Sequence, residues 1–236
     1  MIAKFVRACI AGLGAAVLVA GCGGGGGDPG GSGPVTSTSA FPLLAAYKAY
    51  LIAGINANFT VSGTCSGTAT LVSSPTATAT FEGVTGYAST DTTTITFTNC
   101  TPSSSTNNGF SYYDANYTPL GESVTGEEYA KFNAAATPLP ASVKVGDTGT
   151  VGTLTVYADS TKATITGISV VTYVIEPDTG STAIVNLIEK DYDNSNRLTL
   201  TQQSRYRITL GGTATPTSID LQESTTGSTH LVLTRS

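Results

Sequence analysis

The chain has 236 residues, with 11 basic against 16 acidic side chains, 11% charged residues overall, one histidine and no tryptophan. A chain of this length can bury a full core, but no window supplies the basic stripe that would displace counterions from phosphates, which excludes nucleic acid as a partner. With His230 as the single histidine, the usual base for a serine or cysteine nucleophile is scarce, and no G-x-S-x-G elbow is present.

Lys4 and Arg7 precede an uncharged apolar stretch, Ile10 to Ala20. At about 11 residues it is half the roughly 20 that a spanning helix needs, so it reads as an export signal and not as a permanent membrane helix. Val19, Ala20 and Gly21 stand directly before Cys22. These residues resemble the lipobox of bacterial lipoproteins. The resemblance covers only the first 22 residues and implies cleavage before Cys22, acylation of its thiol and amine, and a lasting anchor, because two or more acyl chains hold stably where one does not. Gly23 stands where the family's inner-membrane retention signal has Asp, which implies the outer membrane. The body of the chain resembles only exported lipoproteins without a characterised activity, and no activity is carried over from them.

Removal of residues 1–21 takes Lys4 and Arg7 away and leaves nine basic against 16 acidic side chains. It also removes Cys9. With Cys22 blocked by lipid, Cys65 and Cys100 remain, and in an oxidising compartment they are expected to form a disulfide. One histidine and two thiols are too few for a metal centre, so neither metal nor cofactor is expected.

Residues 22–40 hold five consecutive glycines, then prolines and a Thr/Ser run without a periodic apolar face. They read as a flexible tether of root-mean-square span roughly 20 to 25 Å. Residues 41–236 form the domain. "FPLLAAYKAYLIAG", Phe41 to Gly54, predicts a short helix with Pro42 at its start, Gly54 past its end, and Leu44, Tyr47 and Leu51 on one face.

From Asn58 the apolar period becomes two. "FTVSG", "GTATLV", "TATATFEG" and "TTTITFTNC" read as strands, with Cys65 in the first hairpin and Cys100 after the fourth strand. Thr101 to Pro140 reads as a long polar connection carrying a second helix at Gly126–Ala134, because Thr125 and Glu128 have capping-box spacing. In that connection Tyr112, Tyr113 and Tyr117 are candidates for binding, as rings with an apolar body and a wet hydroxyl.

Beyond Pro140 the alternation is cleaner, and six segments from "GTLTVYAD" to "HLVLTR" read as an up-and-down antiparallel meander. In "RLTLTQQSRYRITL", Leu198, Leu200, Tyr206, Ile208 and Leu210 share an inner face and Arg197, Arg205 and Arg207 an outer one. Arg205 and Arg207 are candidates for an anionic ligand or for cross-strand pairing with Asp220 or Glu189. Gln202 and Ser204 interrupt the inner face, which points to a bulge, with a cavity lining as the alternative. "EKDYDNSN" reads as a hairpin turn. The adjacent acids Glu127 and Glu128 suit a helix start better than a glycosidase pair.

The sequence thus predicts an all-β domain with one or two short helices, an antiparallel meander forming a curved sheet or a partly closed barrel. The expected function is that of a non-enzymatic envelope lipoprotein of the outer membrane that binds a protein or envelope component. The alternative is a carrier of an apolar ligand, such as a lipid, in the concave face. Replacing the thiol tests the anchor: Cys22→Ser is expected to leave the membrane fraction and appear soluble, and its retention there without altered processing would contradict the lipobox assignment.

Overall fold

A computed structural model describes residues 36–224 and 229–236. Cys22, the residues expected to form an export signal and most of those expected to form a tether lie outside these residues. The tether's last residues are already fastened: Ser37 is buried and its hydroxyl donates to the Gly180 carbonyl at 2.9 Å.

Helix α1 spans Leu43–Ala53, as the sequence predicts, although Pro42 sits just outside the first turn. Gly54 ends it at φ 68°, a left-handed conformation that glycine adopts without a Cβ clash, and its N–H donates to the Tyr50 carbonyl at 3.1 Å. Leu43, Ala46, Tyr47 and Leu51 are buried.

Thirteen strands follow: β1 (Ile55–Gly63), β2 (Gly67–Ser73), β3 (Ala77–Phe81), β4 (Val84–Phe97), β5 (Ser104–Asp114), β6 (Pro119–Val124), β7 (Glu128–Phe132), β8 (Thr148–Tyr157), β9 (Ile165–Pro177), β10 (Thr182–Asp193), β11 (Leu198–Thr209), β12 (Ala214–Glu223) and β13 (His230–Arg235). All neighbours are antiparallel, and two pairings close the sheet on itself. The last strand returns to the first, with Phe59 opposite Arg235 and Gly63 opposite Leu231. The long β4 takes β2 along its second half, Gly67 opposite Phe97 to Ser73 opposite Asp91, and β3 along its first half. The result is a closed twelve-stranded up-and-down barrel with β3 as an extra strand. Full closure removes the exposed edges that a partly closed sheet would keep.

The connection expected at Thr101–Pro140 is instead three strands, β5 to β7, and the helix expected at Gly126–Ala134 is β7. Gly126 lies at φ 78° in a tight turn, and "EYAKF" alternates, with Tyr129 and Lys131 outward and Ala130 and Phe132 inward. Its backbone groups pair with β6 on one side and β8 on the other, which an isolated turn of helix could not match. Tyr112 and Tyr113 therefore lie on a strand, and only Tyr117 lies in a turn.

α1 roofs one end of the barrel together with the loop between β7 and β8. Ala136, Leu139 and Val143 of that loop are buried, and Phe41 and Val143 exchange backbone hydrogen bonds of 2.8 and 3.0 Å. At the other end Cys65 and Cys100 form the expected disulfide, Cα atoms 5.8 Å apart, joining the β1–β2 turn to the β4–β5 loop. In the chain-entropy picture a loop of this size is worth ~3.5 to 4 kcal/mol. The outer face is dominated by polar cross-strand pairs, such as Thr70 with Asn58 at 3.1 Å and Thr92 with Asn108 at 2.8 Å. A band that faced lipid would be apolar instead.

The β3–β4 hairpin folds over the outside of the barrel. Phe81 stacks on Tyr112 at 4.3 Å and on Tyr129 at 5.4 Å, covering Gly121, where a Cβ would meet the Phe81 ring at 2.6 Å. At the hairpin tip the Glu82 carboxylate is held by Lys162 at 2.7 Å, Lys131 at 3.1 Å and the Tyr129 hydroxyl at 2.6 Å. Hydrogen bonds from Lys162, Tyr129 and Lys131 pull its carboxyl from the usual range down to about 2. A lowered folded-state value means stability that is present above the ordinary carboxyl value and lost as pH falls towards 2. Glu82→Gln is expected to cost ~1 kcal/mol or less, the site being partly exposed, and to speed proteolytic cleavage at the hairpin at neutral pH. Equal cleavage rates would contradict the clasp.

Candidate functional site

A barrel of eight strands is just wide enough for its own inward side chains to fill, and because diameter grows with strand number twelve strands enclose a wider interior. The inward positions here fall into two layers. Directly under α1 the wall is apolar and aromatic: Tyr47 meets Tyr113 edge-on at 6.4 Å and Tyr50 meets Tyr206 at 5.5 Å. Leu43, Leu139, Val185 and Leu187, with Tyr47, Tyr50 and Tyr206, line a small space there. Burial raises the titration of all four tyrosine hydroxyls, which stay protonated.

Below the tyrosines the inner wall turns polar. Asp91 on β4 is 2% exposed, and it accepts hydrogen bonds from the hydroxyls of Ser73, opposite it on β2, and of Ser111 on β5, the latter at 3.1 Å. Its removal from water pushes the carboxyl up to about 6, against the lowering effect of those two hydroxyls, and the nearby Glu122 charge pushes the same way as burial. On the other side Glu189 of β10 accepts from the Ser169 hydroxyl of β9. Beside Glu189, the Gln202 amide donates to Ser204 at 3.0 Å. A second small space runs from Ser111, Glu122 and Glu189 to the aromatic roof, with Tyr47 and Tyr113 among its walls.

Gln202 and Ser204 do not mark a bulge. Leu200 to Arg205 pair in unbroken register with β10 and β12, and the irregularity falls after Arg205, where Thr217 of β12 is extra. Both side chains are 1% exposed on the inner face, bonded to each other, and neither is among the residues that line the cavities described here. Leu200, Tyr206 and Ile208 point inward with them as expected, whereas Leu210 lies in the following turn, 47% exposed.

Of the candidate binding tyrosines, Tyr113 is in the roof of this site. Tyr117 stacks on Tyr87 at 4.7 Å at the rim, with the Lys48 ammonium 5.8 Å above its ring. Tyr112 points outward into the Phe81 stack. Arg205 and Arg207 face outward as expected, but their partners are not Asp220 or Glu189. Arg205 bonds Glu176 at 3.1 Å and Arg207 bonds Asp178 at 2.6 Å, two strands away, because Asp220 is taken by His230 at 3.1 Å and Glu189 points inward. In "EKDYDNSN" Asp193 closes the expected turn by accepting from the Ser195 and Arg197 N–H groups at 2.8 and 3.0 Å. Among the described residues no three His, Cys, Asp or Glu side chains converge to hold a metal ion.

Sequence reasoning missed Asp91, Ser73, Ser111, Glu122 and Tyr50. The available signal was phase: Asp91 falls in step with Ile95 and Phe97, and Glu189 in step with Val185 and Leu187, so each carboxylate occupies a core-facing register. No family model, curated protein or solved structure matches the chain.

The raised Asp91 carboxyl fixes the sign of its effect on stability. Below the ordinary carboxyl value it is protonated whether the chain is folded or not. Above about 6 it is ionised in both states and the desolvation penalty, a few kcal/mol, is fully present. Asp91→Asn is therefore expected to gain stability relative to the parent as pH rises from 4 to 7 in chemical denaturation. A difference that is flat with pH, or grows as pH falls, would contradict this.

Proposed function

We propose that the protein is an outer-membrane lipoprotein, tethered through Cys22 and its glycine-rich linker, that holds a small molecule inside the barrel beneath α1. The polar wall inside a closed barrel supports this reading most strongly. Burying carboxylates, amides and hydroxyls in a core costs stability that apolar residues of similar volume would not, and a wall retained at that cost marks a binding site more often than a packing solution. The apolar layer under α1 suits the hydrocarbon part of a ligand and the polar layer suits a polar end. This widens the carrier reading from a purely apolar ligand to an amphiphilic one.

Tyr50 stands between the interior and an outer groove formed by the end of α1 and the β11–β12 turn. A shift of α1 with that ring would open the way in. Docking of a protein or envelope component on the outside is the second reading, favoured by the row of rings Phe110, Tyr112, Phe81 and Tyr129. It ranks lower because these rings are stacked on one another and the outward arginines are already paired.

Native mass spectrometry of the acylated protein, extracted in mild detergent from an exporting host, tests the proposal. A retained small molecule is expected in the parent and its loss in Leu187→Trp, which fills the space under α1. No retained mass in the parent, or the same mass in both, would contradict lumenal binding.

A further inference from the structure

We infer that the face of α1 turned away from the barrel lies on a lipid surface, the leaflet that holds the acyl chains of Cys22. The inference rests on the Cys22 anchor proposed above and adds to it the orientation of the domain. Three observations carry it.

The first is the helix itself. α1, "LLAAYKAYLIA", contains a single charged side chain, Lys48. Leu43, Ala46, Tyr47 and Leu51 are buried against the barrel, which leaves Ala45, Ala49 and Ile52 in a row on the opposite side, all of them exposed. A helix that is apolar on both faces is one that is covered on both. Ile52 is 54% exposed, and Leu210, in the β11–β12 turn at the same end of the barrel, is 47% exposed. Turns of the disulfide end, such as "DSTKAT" and "DNSN", are polar by comparison.

The second is the route of the chain. The Ser37 hydroxyl is bonded to the Gly180 carbonyl in the β9–β10 turn, and Phe41 bridges to Val143, so the segment that arrives from Cys22 is fastened to the roof end. About 14 residues, 23–36, lie between Cys22 and Ser37, which corresponds to a root-mean-square span of roughly 20 Å. β10 alone has 12 residues, or about 40 Å of strand, so the disulfide end stands beyond that span. A domain held this closely by its roof presents α1 to the leaflet.

The third is charge. The acids of the roof end are engaged: Asp114 accepts from the Asn116 and Thr118 N–H groups, Asp147 accepts from the Lys144 N–H, and Asp178 holds Arg207. Lys48, Lys144 and Arg235 have no carboxylate partner among the described residues. The Lys48 ammonium lies over the Tyr117 ring, and Arg235 donates to the Pro216 carbonyl at 3.4 Å. Cations placed around an apolar patch suit lipid phosphates, which sit at the depth that long basic side chains reach. The outer groove, with Ala49, Ala53, Ile55, Pro216 and Arg235 in its walls, then opens onto the bilayer. Tyr50 belongs both to that groove and to the space under α1, so lipid lies next to the way into the barrel.

The chain has no tryptophan, so one introduced indole reports its own surroundings. Ile52→Trp, Leu210→Trp and Ile165→Trp are made one at a time in the acylated full chain and reconstituted in vesicles of phosphatidylethanolamine and phosphatidylglycerol, with and without bromine on the upper acyl carbons. All three positions are about half exposed, so none needs the core to repack, and Ile165, at the disulfide end, is 50% exposed and serves as the matched control. A face buried about 5 to 10 Å into the headgroup boundary brings positions 52 and 210 within reach of the bromine, and emission there is expected to fall at least about twofold. Emission at position 165 is expected to be unchanged.

No quenching at position 52 in a chain whose mass shows the acyl groups on Cys22 would overturn the inference and leave the anchor and lumenal binding standing. Equal quenching at positions 52 and 165 would overturn the orientation in the same way. Blue-shifted emission at position 52 that bromine does not alter, together with a dimer in native mass spectrometry, would assign the face to a second copy of the chain and overturn lipid contact. A chain without acyl groups on Cys22 would overturn the anchor and this inference together.

Discussion

Closure governs this molecule. Once β13 returns to β1 and β4 spans both β2 and β3, twelve strands enclose a wider interior than an eight-stranded barrel has. α1 and the β7–β8 loop turn one end into a roof, four tyrosines supply bulk where aliphatic side chains would leave voids, and the remaining space is lined by groups that tolerate water or a ligand. An eight-stranded barrel of the same sequence style would have no place for Asp91 or Gln202.

The interior also carries a conflict between stability and use. The Asp91 carboxyl titrates at about 6 because burial opposes its charge more strongly than Ser73 and Ser111 support it. A fold selected for stability alone would replace it with an apolar residue or an amide. The outer surface shows the opposite economy: Arg205 with Glu176, Arg207 with Asp178, and Glu82 with Lys131 and Lys162 are paired where water already solvates them, and each contributes little. Charge on the outside is matched and conventional. Buried atoms without a partner occur on both faces, Thr93 and Gln202 inside and the Asn186 carbonyl oxygen outside.

The same polarity explains what could be read from the sequence and what could not. Strands such as β1, with Ala57, Phe59 and Val61 inward between Asn and Thr, announce themselves by alternation, as does α1 by its flanking Pro42 and Gly54. The disulfide follows from cysteine count and compartment. β5 was hidden because its inward residues are Asn107, Gly109 and Ser111, so no apolar period marks the strand, and the capping-box spacing of Thr125 and Glu128 filled the gap with a helix that Gly126 turns into a hairpin. Gln202 and Ser204 suggested a bulge for the same reason, since a polar residue in a core-facing register reads as a defect until the core is known to be a lumen. Closure itself joins residues 59 and 235, a pairing of chain ends that local pattern does not encode. The outward arginine partners were missed because Glu176 and Asp178 lie two strands away, beyond the nearest-neighbour rule.

The most direct measurement of the account is a crystal structure of the protein purified from its own exporting host without a denaturing step. The account predicts ordered non-protein density beneath α1, against Tyr47, Tyr50, Tyr206 and Leu187. An interior occupied only by water, or closed by repacked side chains that give Thr93 and Gln202 protein partners, would contradict it.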